Sequence, residues 1–261
     1  MLRRYLYLDP IFSSDDIMHQ MPTEGVKFRT VHEMWCDVMR VAHAQPIAFS
    51  AMRQEDLLER LTEANHELET IMSGLNAYLE TKRLYFPRFF FLSNDELLEI
   101  LAETKDPHRV QKHLSKCFEG ISKLEFDDHL DIRAMYSKAG ERLEFLPLPK
   151  AEGGRFINPK AAGSNVEVWL LQVEGSMRQA VSRNIDQAVG TFNTTQDRIE
   201  WVRRWSQQAV LAVSEVMWTT QISHAIRNGG PPSLRLYAQQ LTQQLQVRHR
   251  AACPTPVAPA L

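Results

Sequence analysis

Two histidine–cysteine pairs have the spacing of metal ligands. His32 and Cys36 lie four residues apart, as do His113 and Cys117. On a helix this spacing turns both side chains of a pair toward one point, and two such pairs would supply the four ligands of a zinc site. The alternative is that Cys117 belongs to the apolar face of its helix and that the spacing is coincidental. We favour the alternative and expect no bound metal.

Three aspartates precede a predicted hairpin. Asp127, Asp128 and Asp131 are close enough in sequence to work as a general acid and a general base. Aspartates are equally typical of a solvated turn, in which they accept hydrogen bonds from the backbone. We interpret these three as a turn.

Arginine and tryptophan occur together between residues 198 and 205. Arg198, Arg203 and Arg204 surround Trp201 and Trp205. Arginine beside an aromatic ring can stack on a nucleic acid base. With a net charge of −2, however, the chain offers no general attraction to a polyanion. The helical spacing of these residues therefore favours packing within an amphipathic helix.

The sequence lacks the common motifs of nucleotide and hydrolytic chemistry. A phosphate-binding loop reads G-x-x-x-x-G-K-[ST], and none of the eleven glycines here is followed by lysine. Neither G-x-S-x-G nor H-E-x-x-H occurs. We therefore expect no ATP hydrolysis and no cofactor in this chain.

The composition is that of a globular protein. The 261 residues are 44% hydrophobic and 24% charged, so the chain is long enough to bury a sizeable core. Three cysteines fit a reducing compartment. No apolar run reaches the roughly 18 residues of a membrane-spanning helix. Neither nucleic acid nor membrane is an expected partner.

The most informative stretch is residues 84–126. It opens on an aromatic run, residues 84–92, which Pro87 makes unsuitable for a central strand, and we predict an extended, buried connector. Ser93 and Glu96 then form a capping box that begins a helix, with Asp95 also near the positive end of the helix dipole.

A second helix is predicted directly afterwards. Asp106 is suited to the N-cap and Pro107 to the first helical position. One apolar face follows at the spacing i, i+4, i+7, i+8, formed by Val110, Leu114, Cys117 and Phe118.

The remaining pattern is mainly helical. Residues 54–83 carry apolar side chains in alternating steps of four and three, the seam of a helix that packs lengthwise on others. Alternation over residues 132–146 predicts a small β-hairpin. Ser164 and Glu167 form a further capping box. A short helix near residue 15 is expected to end at Pro22 and Gly25. The predicted fold class is mainly α, with elongated helical bundles.

Residues 84–126 resemble the linker region of dynein heavy chains. In that family an FPRF run is followed by LSNDELLEIL and then by DP-x-x-V-Q-x-H-L-x-K-C-F, and this chain reads FPRFFFLSNDELLEILAETKDPHRVQKHLSKCF. The segments SNDELLEIL and HLSKCF resemble those of axonemal rather than cytoplasmic members of the family. Further along, NVEVWLLQVEGSM is similar to the family segment N-V-E-x-W-L-x-x-V-E-x-x-M. Ser206 stands where the family usually has a proline.

The resemblance implies structural rather than catalytic roles for the residues that carry these motifs. They are Phe86, Pro87, Phe89, Ser93, Asn94, Asp95, Glu96, Asp106, Pro107, His113, Cys117, Phe118, Asn165, Glu167 and Trp169.

The same resemblance implies a mechanical function. The family's linker is a helical lever that couples ATP-driven changes in an AAA+ ring to minus-end-directed movement along microtubules in cilia. Expected partners are that ring and the dynein intermediate and light intermediate chains, with microtubules reached only indirectly. ATP and magnesium belong to the full-length family, and the expected location is the axoneme or the cytoplasmic cytoskeleton. Exposed residues of the helix after Ser93, namely Asn94, Asp95 and Glu99, are candidate ring contacts.

Residues 1–247 are expected to be part of a linker domain, and residues 248–261 a disordered tail foreign to it. Two other functions stay open. One alternative is a helical scaffold or adaptor that binds dynein subunits without motor activity. The other alternative is an enzyme whose site carries no recognised motif. The second is the weaker, because no convergent cluster of polar residues is evident.

Overall fold

The computed structural model describes residues 1–44, 46–54, 56–102, 106–148, 155–163, 165–192 and 198–252. Over these ranges the fold is mainly α with one small antiparallel sheet, as predicted. The chain divides into two units, the first made of residues 1–138 and 155–173 and the second of residues 139–154 and 174–261. None of the helices in the described ranges is long and apolar enough to cross a membrane.

Helices dominate the first unit. They are α1 (Leu2–Phe12), α2 (Asp15–Gln20), α3 (Pro22–Ala44), α4 (Ala48–Met52), α5 (Leu57–Tyr85), α6 (Asn94–Ala102), α7 (Pro107–Cys117) and the start of α8 (Val166–Thr191). The predicted lengthwise seam is confirmed, because α5 packs along α3. The α5 side chains that are buried recur every three or four residues: Ala64, Leu68, Ile71, Leu75 and Leu79.

The prediction that Gly25 ends a short helix is wrong. Helix α3 begins at Pro22, whose missing N–H costs nothing at a helix start, and Gly25 lies within its first turn. A Cβ at Gly25 would come within 2.6 Å of the Met18 sulfur, so this glycine permits α2 and α3 to approach closely.

The aromatic run after α5 is not the extended, buried connector predicted from its composition. Pro87–Phe91 forms a 3₁₀ helix with Pro87 in its first turn. Phe86 and Phe89 are fully buried, and their ring centroids lie 4.9 Å apart in an edge-to-face arrangement. Leu92 is also buried, whereas four other large side chains of the run are exposed: Leu84, Tyr85, Phe90 and Phe91. Residues three apart share one face of a 3₁₀ helix, so Phe86 and Phe89 turn inward together while Phe90 and Phe91 turn toward solvent.

A three-stranded sheet in the order β1-β2-β3 follows α7. Its strands are β1 (Lys123–Phe126), β2 (Ile132–Tyr136) and β3 (Arg142–Glu144). The predicted hairpin is confirmed by β2 and β3, whereas β1, which pairs antiparallel with β2, was not predicted. The Ile132 N–H also donates to the Ile157 carbonyl at 2.8 Å, so the segment around Ile157 stays docked on the first unit.

The second unit contains the rest of α8, together with α9 (Arg198–Arg204) and α10 (Gln207–Ala252). A break separates α9 from α10, although this chain has Ser206 at the position where the family usually has a proline. The Ser206 hydroxyl accepts a hydrogen bond from the Ala209 N–H at 3.4 Å, as a helix cap does. Helix α10 kinks at Gly230, whose φ of 58° suits glycine, and two prolines follow directly.

Trp201 belongs to the core of the second unit and Trp205 packs against it, whereas Arg203 and Arg204 are exposed. Trp201 is fully buried, and its indole N–H donates to the Ala188 carbonyl at 3.2 Å. The Arg198 guanidinium lies 3.5 Å from the Phe192 ring centroid and 4.4 Å from that of Trp201. These rings are therefore occupied within the protein, and packing within amphipathic helices is confirmed.

The first residues of the predicted tail, 248–252, lie within α10, which extends to Ala252. Residues 253–261, including Cys253, lie outside the described residues. The division at residue 247 stays a prediction.

Two adjacent phenylalanines provide a matched test of the 3₁₀ helix Pro87–Phe91, which we call the aromatic turn. Phe89 is 0% exposed and Phe90 is 59% exposed. We expect Phe89→Ala to lower the free energy of unfolding by about 3 to 5 kcal/mol, since it opens a cavity in the core. Phe90→Ala should change it by no more than about 0.5 kcal/mol. Urea unfolding followed by circular dichroism checks the difference, and equal losses would contradict the turn as described.

Candidate functional site

Among the described residues of the first unit, the most buried ion pair joins α5 to α8. The Lys82 ammonium lies 2.5 Å from Oε1 of Glu167, and the two side chains are only 13% and 7% exposed. Lys82 continues the buried stripe of α5, three residues after Leu79 and seven after Leu75. A charged residue in register with a buried face needs a partner, and this register is the signal in the sequence that points to Lys82.

Two further polar side chains, Tyr78 and Gln20, lie beside this pair. The Lys82 ammonium lies 5.4 Å from the Tyr78 ring centroid. The Tyr78 hydroxyl donates a hydrogen bond to Oε1 of Gln20 in α2. Burial, together with the nearby charge of Glu167, raises the pKa of Tyr78 above its ordinary value, so the phenol stays protonated and able to donate. We call Gln20, Tyr78, Lys82 and Glu167 the polar junction, and it connects α2, α5 and α8.

Glu167 thus has a tertiary role in addition to the capping role predicted for it, and the capping role stays a prediction. Its supposed partner Ser164 lies outside the described residues. Asn165 directly precedes α8, and its carbonyl accepts from the Val168 N–H at 3.2 Å. Trp169, one turn further along, is buried. Glu167 still lies in the first turn of α8, where the helix dipole favours a negative charge, so its position benefits the helix and the ion pair together.

The capping box at the start of α6 is confirmed. The Ser93 N–H donates to Oε2 of Glu96 at 3.0 Å, and the Glu96 N–H donates to the Ser93 hydroxyl at 3.3 Å. Glu96 also pairs with Lys116 of α7. The hydrogen bond from Lys116, followed by those from Ser93, lowers the pKa of Glu96 to about 2. The Glu96 carboxylate therefore takes part in capping the N-terminus of α6 and also links α6 to α7.

The predicted start of α7 is confirmed as well. Oδ1 of Asp106 accepts from the His108 N–H at 3.0 Å, and Pro107 occupies the first helical position.

Two arginines hold the aromatic turn in place. Arg83 donates to the carbonyl of Phe89 at 3.4 Å and to that of Leu92 at 3.0 Å. Arg88 donates to the carbonyl of Cys117 at 3.1 Å, and its guanidinium lies 5.0 Å from the ring centroid of Phe118, which is buried. Carbonyls at the ends of helices lack intrahelical partners, so these bonds fix the turn against α7.

His113 and Cys117 face the interior. Nε2 of His113 lies 3.2 Å from Oε2 of Glu99, which also pairs with Lys112. Burial lowers the pKa of His113, so the neutral ring is favoured there. Burial likewise raises the pKa of the Cys117 thiol to about 11 and keeps it from acting as a thiolate. Both residues contribute to packing between α6 and α7.

The other histidine–cysteine pair has different neighbours. Nδ1 of His32 lies 2.8 Å from the Tyr5 hydroxyl, and its Nε2 lies 3.5 Å from the Cys36 sulfur. Within the described ranges, no three histidine, cysteine, aspartate or glutamate side chains are grouped as a metal site requires.

The aspartates before β2 form a turn. Oδ1 of Asp127 accepts from the backbone N–H groups of His129 and Asp131, each at 2.9 Å, and Oδ2 pairs with Arg133 at 2.6 Å. Asn158 donates to Asp131 at 2.7 Å. The Asp127 carboxylate is thus engaged in holding the turn, and Asp128 is exposed.

The first unit is a body of packed helices, and the polar side chains described above connect these helices to one another.

The family profile described as "Dynein heavy chain, N-terminal region 2" matches residues 1–188. The chain belongs to this dynein heavy chain family.

Similar proteins include three axonemal heavy chains. The chain is 50% identical to dynein axonemal heavy chain 12 of Homo sapiens over 242 residues, which is 93% of this chain and 8% of that protein. It is 50% identical to dynein axonemal heavy chain 3 of Mus musculus over 226 residues, 85% of this chain and 5% of that protein. It is 41% identical to dynein axonemal heavy chain 1 of Homo sapiens over 243 residues, 93% of this chain and 5% of that protein. The chain thus spans a small part of the length of these relatives.

The buried pair can be tested against a half-buried one that also involves α5. Lys82→Met leaves Glu167 charged and buried without a partner, so we expect it to lower the free energy of unfolding by about 3 to 5 kcal/mol. Adding Glu167→Leu should restore most of that loss, because an apolar pair avoids burying a charge. Urea unfolding of the single and double variants measures both effects.

Lys27 and Glu67 provide the control. They also pair between two helices, at 3.0 Å, but are 37% and 36% exposed. Lys27→Met should therefore cost about 1 kcal/mol or less. Equal losses at Lys27 and Lys82 would show that burial at the polar junction has no special energetic role.

Proposed function

We propose that this chain is a segment of the linker of an axonemal dynein heavy chain. In this role it is part of the lever that couples ATP-driven changes in the AAA+ ring to minus-end-directed movement along microtubules. The observation that carries the proposal is the family match over residues 1–188 together with 50% identity to axonemal heavy chains over 93% of the chain.

The physical features of the first unit support a mechanical role. Helix α5 has 29 residues, a length of about 43 Å at 1.5 Å per residue. It packs along α3, and the Lys82–Glu167 pair ties its C-terminal end to α8. The 3₁₀ turn that follows is held by Arg83 and by Arg88. A helix fixed at several points by buried contacts resists bending better than a free one, which suits the transmission of load.

The chemistry of the motor is proposed to lie elsewhere in the heavy chain. This sequence lacks G-x-x-x-x-G-K-[ST], so we assign ATP, magnesium and hydrolysis to the AAA+ ring and no enzymatic activity to this chain. The names of the relatives specify axonemal heavy chains. We accordingly propose a location in the ciliary axoneme, the ring as direct partner, and microtubules as indirect partners.

A second candidate function is a non-motor scaffold or adaptor that binds other dynein subunits, such as intermediate or light intermediate chains. The observation in its favour is the exposed apolar side chains around the aromatic turn. Leu84 is 69% exposed and Phe91 is 70% exposed. Apolar surface of this kind marks interaction sites, although a ring and a separate subunit would both cover it.

Co-purification distinguishes the two functions. The full chain is mixed with an axonemal heavy chain ring that lacks its own linker and, separately, with a dynein intermediate chain. A linker segment should be retained by the ring, and retention should differ between the ATP-analogue-bound and nucleotide-free ring, because linker docking follows the nucleotide state. The Phe89→Ala variant, whose core is disrupted, is the control and should lose retention. Binding to the intermediate chain alone would overturn the linker proposal and favour the adaptor.

A further inference from the structure

A groove on the first unit has no role in the packing described above. It lies between α1 and α6, with α2 at its base, and has a volume of about 400 Å³. Most of its wall is apolar and comes from Leu6, Pro10, Ile11, Ile17, Leu98 and Ala102. The groove is confined to the first unit.

The amphipathic pattern of α1 explains why apolar residues reach this surface. The helix turns Tyr5, Leu8 and Phe12 into the core. Leu6 and Pro10, four residues apart, lie on another face, and Leu6 is 59% exposed. Since α1 has apolar residues on more than one face, part of its apolar surface remains uncovered.

Two carboxylates form the edge of the groove. Asp95 and Glu99 lie one turn apart on α6. Oδ1 of Asp95 accepts a hydrogen bond from the Tyr7 hydroxyl at 3.1 Å. Burial, and then this bond to Asp95, raises the pKa of Tyr7, which keeps the phenol as a donor.

The two carboxylates differ in how far their charge is neutralised. Glu99 forms an ion pair with Lys112 of α7, and its other carboxylate oxygen lies 3.2 Å from Nε2 of His113. Asp95 has Tyr7 as its hydrogen-bond partner, and among the described residues no lysine, arginine or histidine forms an ion pair with it. The groove therefore has an apolar wall and a negative edge whose charge is centred on Asp95.

We propose that this groove docks a protein segment that inserts a leucine-sized apolar side chain between α1 and α6 and places a lysine or arginine against Asp95. The apolar wall supplies the favourable burial, and the carboxylate fixes the orientation of the segment. This docking is a property of the isolated chain and does not depend on the linker function.

The lining favours a basic, apolar protein segment over other occupants. Nucleic acid and an anionic membrane surface would both bring negative charge to Asp95 and Glu99. A small polar ligand would need several converging donors and acceptors, whereas the polar lining consists of Tyr7, Asp95 and Glu99.

Binding of a defined probe tests the proposal. The probe is a fluorescein-labelled helical peptide of leucine, lysine and alanine, with leucines on one face and lysines beside them. Its matched control has every lysine replaced by glutamate. Fluorescence anisotropy with the full chain should show binding of the lysine peptide, weaker binding as salt is raised, and no binding of the glutamate peptide. Equal binding of both peptides, or of neither, would overturn the proposal.

Variants locate the binding. Asp95→Lys reverses the charge at the edge of the groove and should weaken binding of the lysine peptide about tenfold or more. Leu6→Glu should weaken it by about tenfold or more as well. Asp95→Asn should give a smaller loss with the same sign and is the milder change if charge reversal disturbs α6. The controls Asp128→Lys and Leu58→Glu change an exposed carboxylate and an 82% exposed leucine away from the groove, and they should leave binding unchanged.

Two outcomes would reject the proposed occupant. If Asp128→Lys weakens binding as much as Asp95→Lys, the peptide responds to overall charge rather than to the groove. If light scattering shows that the chain alone is a dimer, and that Leu6→Glu makes it a monomer, a second copy covers the groove.

Discussion

The ion pair between Lys82 and Glu167 is the interaction on which the arrangement of the first unit depends. Both groups are almost fully withdrawn from water, at 13% and 7% exposure, and an isolated charge in such a place is strongly unfavourable. Each charge therefore requires the other, and the requirement fixes the C-terminal end of α5 against the start of α8. Because α5 leads directly into the aromatic turn, the same constraint positions Phe86 and Phe89, and through Arg88 the end of α7.

Local signals allowed much of this to be predicted from sequence. The Ser93–Glu96 box, the Asp106–Pro107 start and the stripe of α5 involve residues within a few positions of one another, so spacing alone identifies them. The hairpin at residues 132–146 follows from alternation and a turn in the same way.

Contacts between distant residues could not be predicted in this way. The contact between Glu167 and Lys82, which lies 85 residues earlier in the chain, has no signal in the local spacing around Glu167. The aromatic run was expected to be extended because of its β-propensity, but Pro87 fits the first turn of a 3₁₀ helix and the tertiary contacts of Arg83 and Arg88 stabilise that form. The groove between α1 and α6 also arises only when residues 6–17 meet residues 95–102 in space.

In this member of the dynein heavy chain family, three ion pairs join helices of the first unit: Glu96 with Lys116, Glu99 with Lys112, and Lys82 with Glu167. The proposed linker function requires that these joints keep the segment stiff while the ring changes shape.

The most direct measurement compares motility with ATP hydrolysis in a full-length axonemal heavy chain that carries residues 1–247 in place of its own equivalent segment. With Lys82→Met we predict that microtubule gliding slows several-fold while the ATPase rate stays near that of the unmodified chimera, and that adding Glu167→Leu restores the velocity, since the apolar pair restores the joint. If the Lys82→Met chimera glides at full speed although its segment is measurably destabilised, or if deleting the segment leaves gliding unchanged, the segment does not transmit the stroke.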